Sequence, residues 1–295
     1  MMLDTGYDGV HIQDTLHDGN GKLLAQGGGH QIIGEVEIIA RAKNGKVLFT
    51  RSHRLERNDL LVTGAVYLSE KINNLRSTFL TTPVDVSLGV HTADQVDRTN
   101  ASIPNEIVCG IMVGNGGCGD TYNTVHKVHR TDYTVPGPLP IRVCPLSRDL
   151  SGVTRQKYFL RVVRGDYAYY YGKCFSVVPE INVMYEDGTT VPTNVNVLGD
   201  IKGQYIKTFT KYMVTLDESD IREGFKLTQG NTLRSLVNSV GLVTGYPGTA
   251  SDSEDKHLVI PEYYNVRTMT TLNTENDELK DSEATVSYIY RLYFV

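Results

Sequence analysis

The run Val286-Ser287-Tyr288-Ile289-Tyr290-Arg291-Leu292-Tyr293-Phe294-Val295 decides how the chain is read. Successive side chains of a strand point to opposite sides, so Val286, Tyr288, Tyr290, Leu292 and Phe294 share one face. The sequence ends inside this apolar strand. The strand is therefore expected to be tied into a sheet or an interface, and Tyr288, Tyr290, Tyr293 and Phe294 become interface candidates.

Working outward, the same period recurs. Glu35-Val36-Glu37-Ile38 alternates and is followed, past Asn44-Gly45, by Lys46-Val47-Leu48-Phe49-Thr50. Asn-Gly between two such runs predicts a hairpin closed by a type I′ turn. Val84 to Leu88 alternates as well. Ile107 to Val113 is a continuous apolar run, as a strand covered on both faces would be. Tyr158 to Val163 and Tyr167 to Tyr171 flank the turn Arg164-Gly165-Asp166. Ile181 to Tyr185 runs into Asp187-Gly188, and Tyr205 to Val214 is rich in aromatic and β-branched residues.

One longer helix interrupts the strands. Asn58 or Asp59 is placed to cap it, and Leu61, Ala65, Leu68, Ile72 and Leu75 form an apolar stripe. Gly64 lies inside and costs the helix about 1 kcal/mol relative to alanine. A short helix is expected from Asp217 to Glu223, ended by Gly224. Leu233 to Val243 fits a helix or a strand, and Ser251 to Lys256 reads as an exposed loop.

These patterns predict a mainly β fold, an antiparallel β-sandwich or barrel-like core with one longer helix and an extended N-terminal arm. Residues 1–33 form the arm, because they carry little apolar periodicity and include Gly27-Gly28-Gly29. Those three glycines are interface candidates, as an arm can gain order on a neighbour. Residues 34–295 form the β-rich domain. The Pro-rich piece at 136–140 is a place where it could divide.

Composition narrows the partners. The net charge is −5 with acidic and basic residues intermixed, whereas a nucleic-acid surface needs a basic face. No apolar run approaches the roughly 20 residues of a membrane helix. The acidic, polar start lacks the pattern of a secretory signal, so the chain is expected to be made and used in a cytoplasm or in something assembled there. The 18 tyrosines suit half-buried strand faces and protein interfaces. Four cysteines in 295 residues are too few for a disulfide scaffold and are expected to be reduced thiols.

The chemical candidates are weak. Cys109, Cys118, His126 and His129 have ligand types suited to zinc, but compact zinc modules bring cysteines about two to four residues apart. His126 and His129 would also face opposite ways on a strand. The loop Gly114 to Asp120 follows an apolar run as a phosphate loop would, yet lacks the Gly-Lys-Ser/Thr ending and a following helix. A glycine turn between strands accounts for it. Glu35 and Glu37 read as a solvated face. The expectation is no catalytic residue, no metal and no cofactor.

Several stretches taken together carry a resemblance. They are Gly34 to Ile39 with Asn44-Gly45, Val113-Gly114-Asn115-Gly116-Gly117 leading to Tyr122-Asn123, and Pro140-Ile141-Arg142. Asp149-Leu150-Ser151, Lys157-Tyr158-Phe159, Tyr167 to Tyr170, and Met269 to Asn273 with the run to Tyr290 complete the set. In combination the chain resembles virion structural proteins of large tailed bacteriophages. The resemblance implies a non-enzymatic subunit repeated around a symmetric particle, whose partners are copies of itself and other virion proteins. A ring-forming neck or collar component is the first expectation; capsid decoration and the tail or baseplate are the alternatives. Two readings of other classes stand beside it. One is a carbohydrate-binding host-recognition module using aromatics near Tyr167 to Tyr171, which the lack of tryptophan disfavours. The other is a metal enzyme built on the Cys/His set.

Overall fold

The computed structural model describes residues 15–17, 23–26, 32–54, 58–73, 106–116, 134–193, 205–229, 235–251, 259–279 and 284–294. The fold is mainly β, and every strand pairing in it is antiparallel.

Two large sheets face each other. The six-stranded sheet contains β3 (Ile32–Arg41), β4 (Val47–Arg54), β11 (Glu180–Tyr185), β12 (Thr190–Pro192), β13 (Tyr205–Leu216) and β16 (Thr285–Phe294), in the order β12-β11-β13-β16-β3-β4. The five-stranded sheet contains β5 (Asn58–Leu60), β6 (Ile107–Gly114), β10 (Lys173–Cys174), β14 (Ser235–Ser251) and β15 (Val259–Leu279), in the order β10-β6-β14-β15-β5. A three-stranded sheet of β7 (Pro140–Pro145), β8 (Arg161–Arg164) and β9 (Tyr167–Tyr171) packs beside them, with β9 in the middle. In the N-terminal segment, β1 (Thr15–His17) and β2 (Leu23–Gln26) pair with each other.

The alternating run 286–294 lies at the centre of the six-stranded sheet, between β13 and β3. Val286, Tyr288, Tyr290 and Leu292 join Val36, Ile38, Val214 and Leu216 in the main core. Ile111, Val113, Val240, Leu242 and Leu272 meet them from the five-stranded sheet. Across this core, the Thr270 and Tyr290 hydroxyls lie 3.4 Å apart.

The opposite face of the five-stranded sheet builds a second core. Cys109, Met112, Val243 and Val266 pack there with Phe159, Leu160, Val162 and Tyr171. The apolar run is thus covered on both sides from Cys109 to Val113, while Ile107 at its start is exposed. A β-bulge decides which side chains go where: Val243 pairs with Gly110 and Thr244 with Val108, leaving Cys109 as the extra residue.

The hairpin at Asn44-Gly45 forms, but with a different turn. The N–H of Gly45 bonds to the carbonyl of Ala42 at 2.8 Å, and the N–H of Ala42 to that of Lys46 at 2.9 Å. Gly45 has φ +83°, while Asn44 stays out of the left-handed region. This is a three-residue loop with glycine in the left-handed position, not a type I′ turn.

The helix also differs from its expected stripe. α1 (Val62–Ile72) is capped by Leu61 without a side-chain bond, and Asn58 and Asp59 belong to β5. Its buried face is Thr63, Gly64, Tyr67 and Glu70; Ile72 is 84% exposed. The reason is a bulge at Met269, whose carbonyl accepts the Leu61 N–H at 3.1 Å. That carbonyl would lie 2.0 Å from a Cβ on residue 64, so only glycine lets the helix sit so low. Leu75 and Val84 to Leu88 lie outside the described residues.

After the one-turn α2 (Gly152–Arg155) comes α3 (Glu218–Asp220), which continues into a π-helix (Ile221–Lys226) and a final turn (Leu227–Gln229). Gly224 therefore does not end the helix. It packs the helix onto β7, where a Cβ would meet the Ile141 carbonyl oxygen at 2.0 Å. The ambiguous stretch from Leu233 is a strand from Ser235 onward. The piece 136–140 is laid on the end of β6: the carbonyls of Pro136 and Gly137 accept the N–H groups of Gly116 and Asn115.

Candidate functional site

Three ionic clusters are buried or half-buried around the cores. The first centres on Arg267 of β15, which is 2% exposed. Its Nε and Nη2 each donate to Glu106 at 2.6 Å, and Nη2 also reaches Glu70 of α1 at 2.7 Å. Its guanidinium carbon lies 5.5 Å from the centre of the Tyr67 ring. Burial works against the charge on Arg267, but Glu106 and Glu70 outweigh it and hold the group above its ordinary value. Burial pushes Glu106 upward against the pull of Arg267, and the neighbouring Glu70 charge adds to it.

The second cluster joins β10 to the start of α3. Lys173 Nζ donates to Asp220 Oδ2, and the Tyr158 hydroxyl donates to Asp220 Oδ1. Asp220 is wholly buried and Lys173 nearly so. Lys173 Nζ also stands 3.7 Å from Asp217 Oδ2 and 5.3 Å from the centre of the Tyr158 ring. Asp217 caps the helix: its Oδ1 accepts the Asp220 N–H at 3.1 Å, while Asp220 Oδ2 accepts the Asp217 N–H at 2.9 Å. Burial raises Asp220 despite the nearby ammonium. Burial also raises Tyr158, which stays a proton donor.

The third cluster holds the small sheet. Asp149 accepts from Tyr170 at 2.7 Å, from Arg161 Nε at 2.8 Å, and from the Cys144 thiol at 3.5 Å. Burial opposes ionisation of Asp149, but the bonds from Tyr170 and Arg161 outweigh it and lower its value. Burial and the Asp149 charge push the Cys144 thiol up to about 11.

The first two clusters escape sequence reading because each is assembled from distant segments, and the third because its members meet only once β7, β8 and β9 pair. The only local signal is a charge set in an apolar stretch, such as Arg267 between Val266 and Thr268, or Glu106 just before β6. The candidates named from sequence fall elsewhere. Cys109 is buried in the second core, with its thiol 3.6 Å from the Val243 carbonyl, and burial raises it well above the ordinary thiol range. Cys118, His126 and His129 lie outside the described residues, as do Gly27, Gly28 and Gly29. Among the described residues, no group of three or more His, Cys, Asp or Glu gathers to hold a metal ion, and Cys109 and Cys144 are free thiols.

Tyr288 and Tyr290 are wholly buried in the chain's own core and Tyr293 nearly so. Their surface is already spent inside the fold, which corrects their reading as contacts between copies. The Tyr293 ring lies 4.9 Å from that of Phe209, tilted by 43°, whereas Phe294 remains 42% exposed. Of the aromatics in β9, Tyr170 and Tyr171 are buried, Tyr169 is half-buried and Tyr167 is exposed. Glu35 and Glu37 are gripped by Arg291 at 3.2 and 2.7 Å.

Beyond the sheet, β14 and β15 continue as a two-stranded ribbon. The pairing of β6 with β14 stops at Gly245, and β5 meets β15 only at Thr270 to Leu272. β14 and β15 nevertheless stay paired from Tyr246 with Tyr264 to Ser251 with Val259. Among the described residues no third strand joins this part.

No family model matches the chain, and neither a curated protein nor a solved structure matches it. Among the described residues no helix is long and apolar enough to cross a membrane.

Proposed function

We propose that the chain is a non-enzymatic structural subunit of a tailed-phage virion, a ring-forming neck or collar component that assembles with copies of itself. The place in a virion rests on the combined stretches from Gly34 to Tyr290. Assembly rests on the β14–β15 ribbon. Six paired positions at about 3.3 Å each extend roughly 20 Å past the last residue shared with β6. A lone two-stranded ribbon is marginal in water and gains stability by adding strands or a packed face. Its residues, including Tyr246, Pro247, Ile260, Pro261, Tyr263 and Tyr264, have the composition of a contact surface. A protruding element docking on a different surface of the next copy is a heterologous contact, the kind that closes rings.

The test compares the full chain with a variant in which residues 246–264 are replaced by a two-residue Asn-Gly turn. Light scattering at two concentrations gives the mass, and circular dichroism reports the remaining sheet. The full chain is expected as a ring-sized or concentration-dependent oligomer and the shortened chain as a folded monomer. A shortened chain that assembles to the same mass removes the ribbon from the interface, and a full chain that stays monomeric overturns self-assembly.

A further inference from the structure

The Lys173–Asp220 contact has the components of a covalent reaction. An amine nitrogen touches a carboxyl group in a buried site, a second carboxylate stands beside the amine, and a phenol donates to the other carboxyl oxygen. We propose that Lys173 and Asp220 condense to an intramolecular amide, with Asp217 as proton carrier and Tyr158 as the donor that steadies the carboxyl oxygen.

The step balances without any outside reagent. A proton passes from the Lys173 ammonium to Asp220, giving a neutral amine and a neutral acid. Burial favours the neutral acid, in keeping with the raised value of Asp220. The lone pair on Nζ attacks Cγ, and charge develops on Oδ1, where the Tyr158 hydroxyl already donates. Asp217 takes a proton from the attacking nitrogen and returns it to the Oδ2 hydroxyl, which leaves as water. An Nζ–Cγ bond forms, a Cγ–Oδ2 bond breaks, and Asp217 ends as the carboxylate it began as.

Positioning supplies the driving force. Fixed partners reach effective concentrations of about 10⁵–10⁸ M, far above that of water, and burial of Lys173 and Asp220 limits the water that would reverse the step. Each group is held by backbone geometry. Lys173 is paired with Ile111 and bridged to Tyr158, while Asp220 is fixed by the reciprocal cap with Asp217. The product would staple the two-residue edge strand β10 to the helix, joining positions 47 residues apart. The inference does not depend on the ribbon or on any assembly.

Mass spectrometry of the denatured full chain tests it. The expected mass is one water below that of the sequence, and proteolysis should yield a branched peptide joining the Lys173 and Asp220 segments. A succinimide at Asp187-Gly188 would also lose one water but gives only linear peptides, so the branched peptide is the deciding species. Lys173→Arg should restore the full mass. Asp217→Asn should slow loss of water while leaving Lys173 and Asp220 in contact. Full mass with only linear peptides after long incubation of the unaltered protein overturns the proposal. Loss of water at an unchanged rate in D217N removes Asp217 from the step.

Discussion

Arg267 and Glu106, 161 positions apart in sequence, are joined by two hydrogen bonds of 2.6 Å in the interior. Neither charge is tolerable alone at that depth. Removing one partner of a buried pair costs about 3–5 kcal/mol, while replacing the whole set with apolar groups of similar size is often neutral. Arg267→Met should therefore lower stability by about 3–5 kcal/mol in urea unfolding, leaving Glu106 and Glu70 buried together. Adding E106L and E70L to R267M should recover most of the loss. A single variant as stable as the parent would mean that water reaches the carboxylates.

Two glycines separate space from conformation. At Gly64 alanine gains about 1 kcal/mol of helix propensity. Its Cβ, however, would come 2.0 Å from the Met269 carbonyl oxygen, a backbone atom that cannot swing away. Overpacking of this kind costs about 1–3 kcal/mol, so Gly64→Ala should be a net loss. At Gly45 nothing lies within 4 Å of an added Cβ, but φ is +83°. Gly45→Ala should cost about 1–2 kcal/mol from conformation alone, and Gly45→Asn less, because asparagine visits the left-handed region more readily. Thermal unfolding of the three variants reads both effects.

The strands were legible because their apolar residues mark buried faces. The alternating run 286–294 sits mid-sheet, and the continuous apolar run 107–113 lies between two cores. The helix face at 62–72 was not legible. A stripe of Leu61, Ala65, Leu68 and Ile72 assumes that apolar residues face the core, but α1 buries Gly64 for close approach and Glu70 for Arg267. Neither requirement is local. The same holds for Gly224, where a terminator and a packing glycine look identical until Ile141 is seen beneath it. The Lys173–Asp220 pair had no sequence signal at all, since partners 47 residues apart meet only once β10 and α3 are placed.

Cys144 gives a prediction at alkaline pH. Burial and Asp149 raise its thiol from 9.0 to about 11. The folded state then holds a proton that the unfolded chain releases, so stability falls as pH rises. The contribution is full below pH 9.0 and is lost by the time pH passes about 11. Urea midpoints measured across that window should decline, and Cys144→Ala should flatten the decline. A thiol reagent should modify Cys144 slowly at pH 9, and rapid labelling there would contradict the raised value.

Asp217 has two tasks that substitution can divide. As a cap it needs only an oxygen that accepts the Asp220 N–H, which asparagine supplies as well as aspartate. Its attraction to Lys173 acts over 3.7 Å from a side chain that is 47% exposed, where ion pairs contribute about 0–1 kcal/mol. Compared with the parent while both chains still have their full mass, Asp217→Asn should thus leave thermal stability within about 0.5 kcal/mol. Asp217→Ala loses the cap and should cost about 1 kcal/mol, within the usual range for such caps. If D217N falls as far as D217A, the charge at 217 matters more to the helix start than its hydrogen bond.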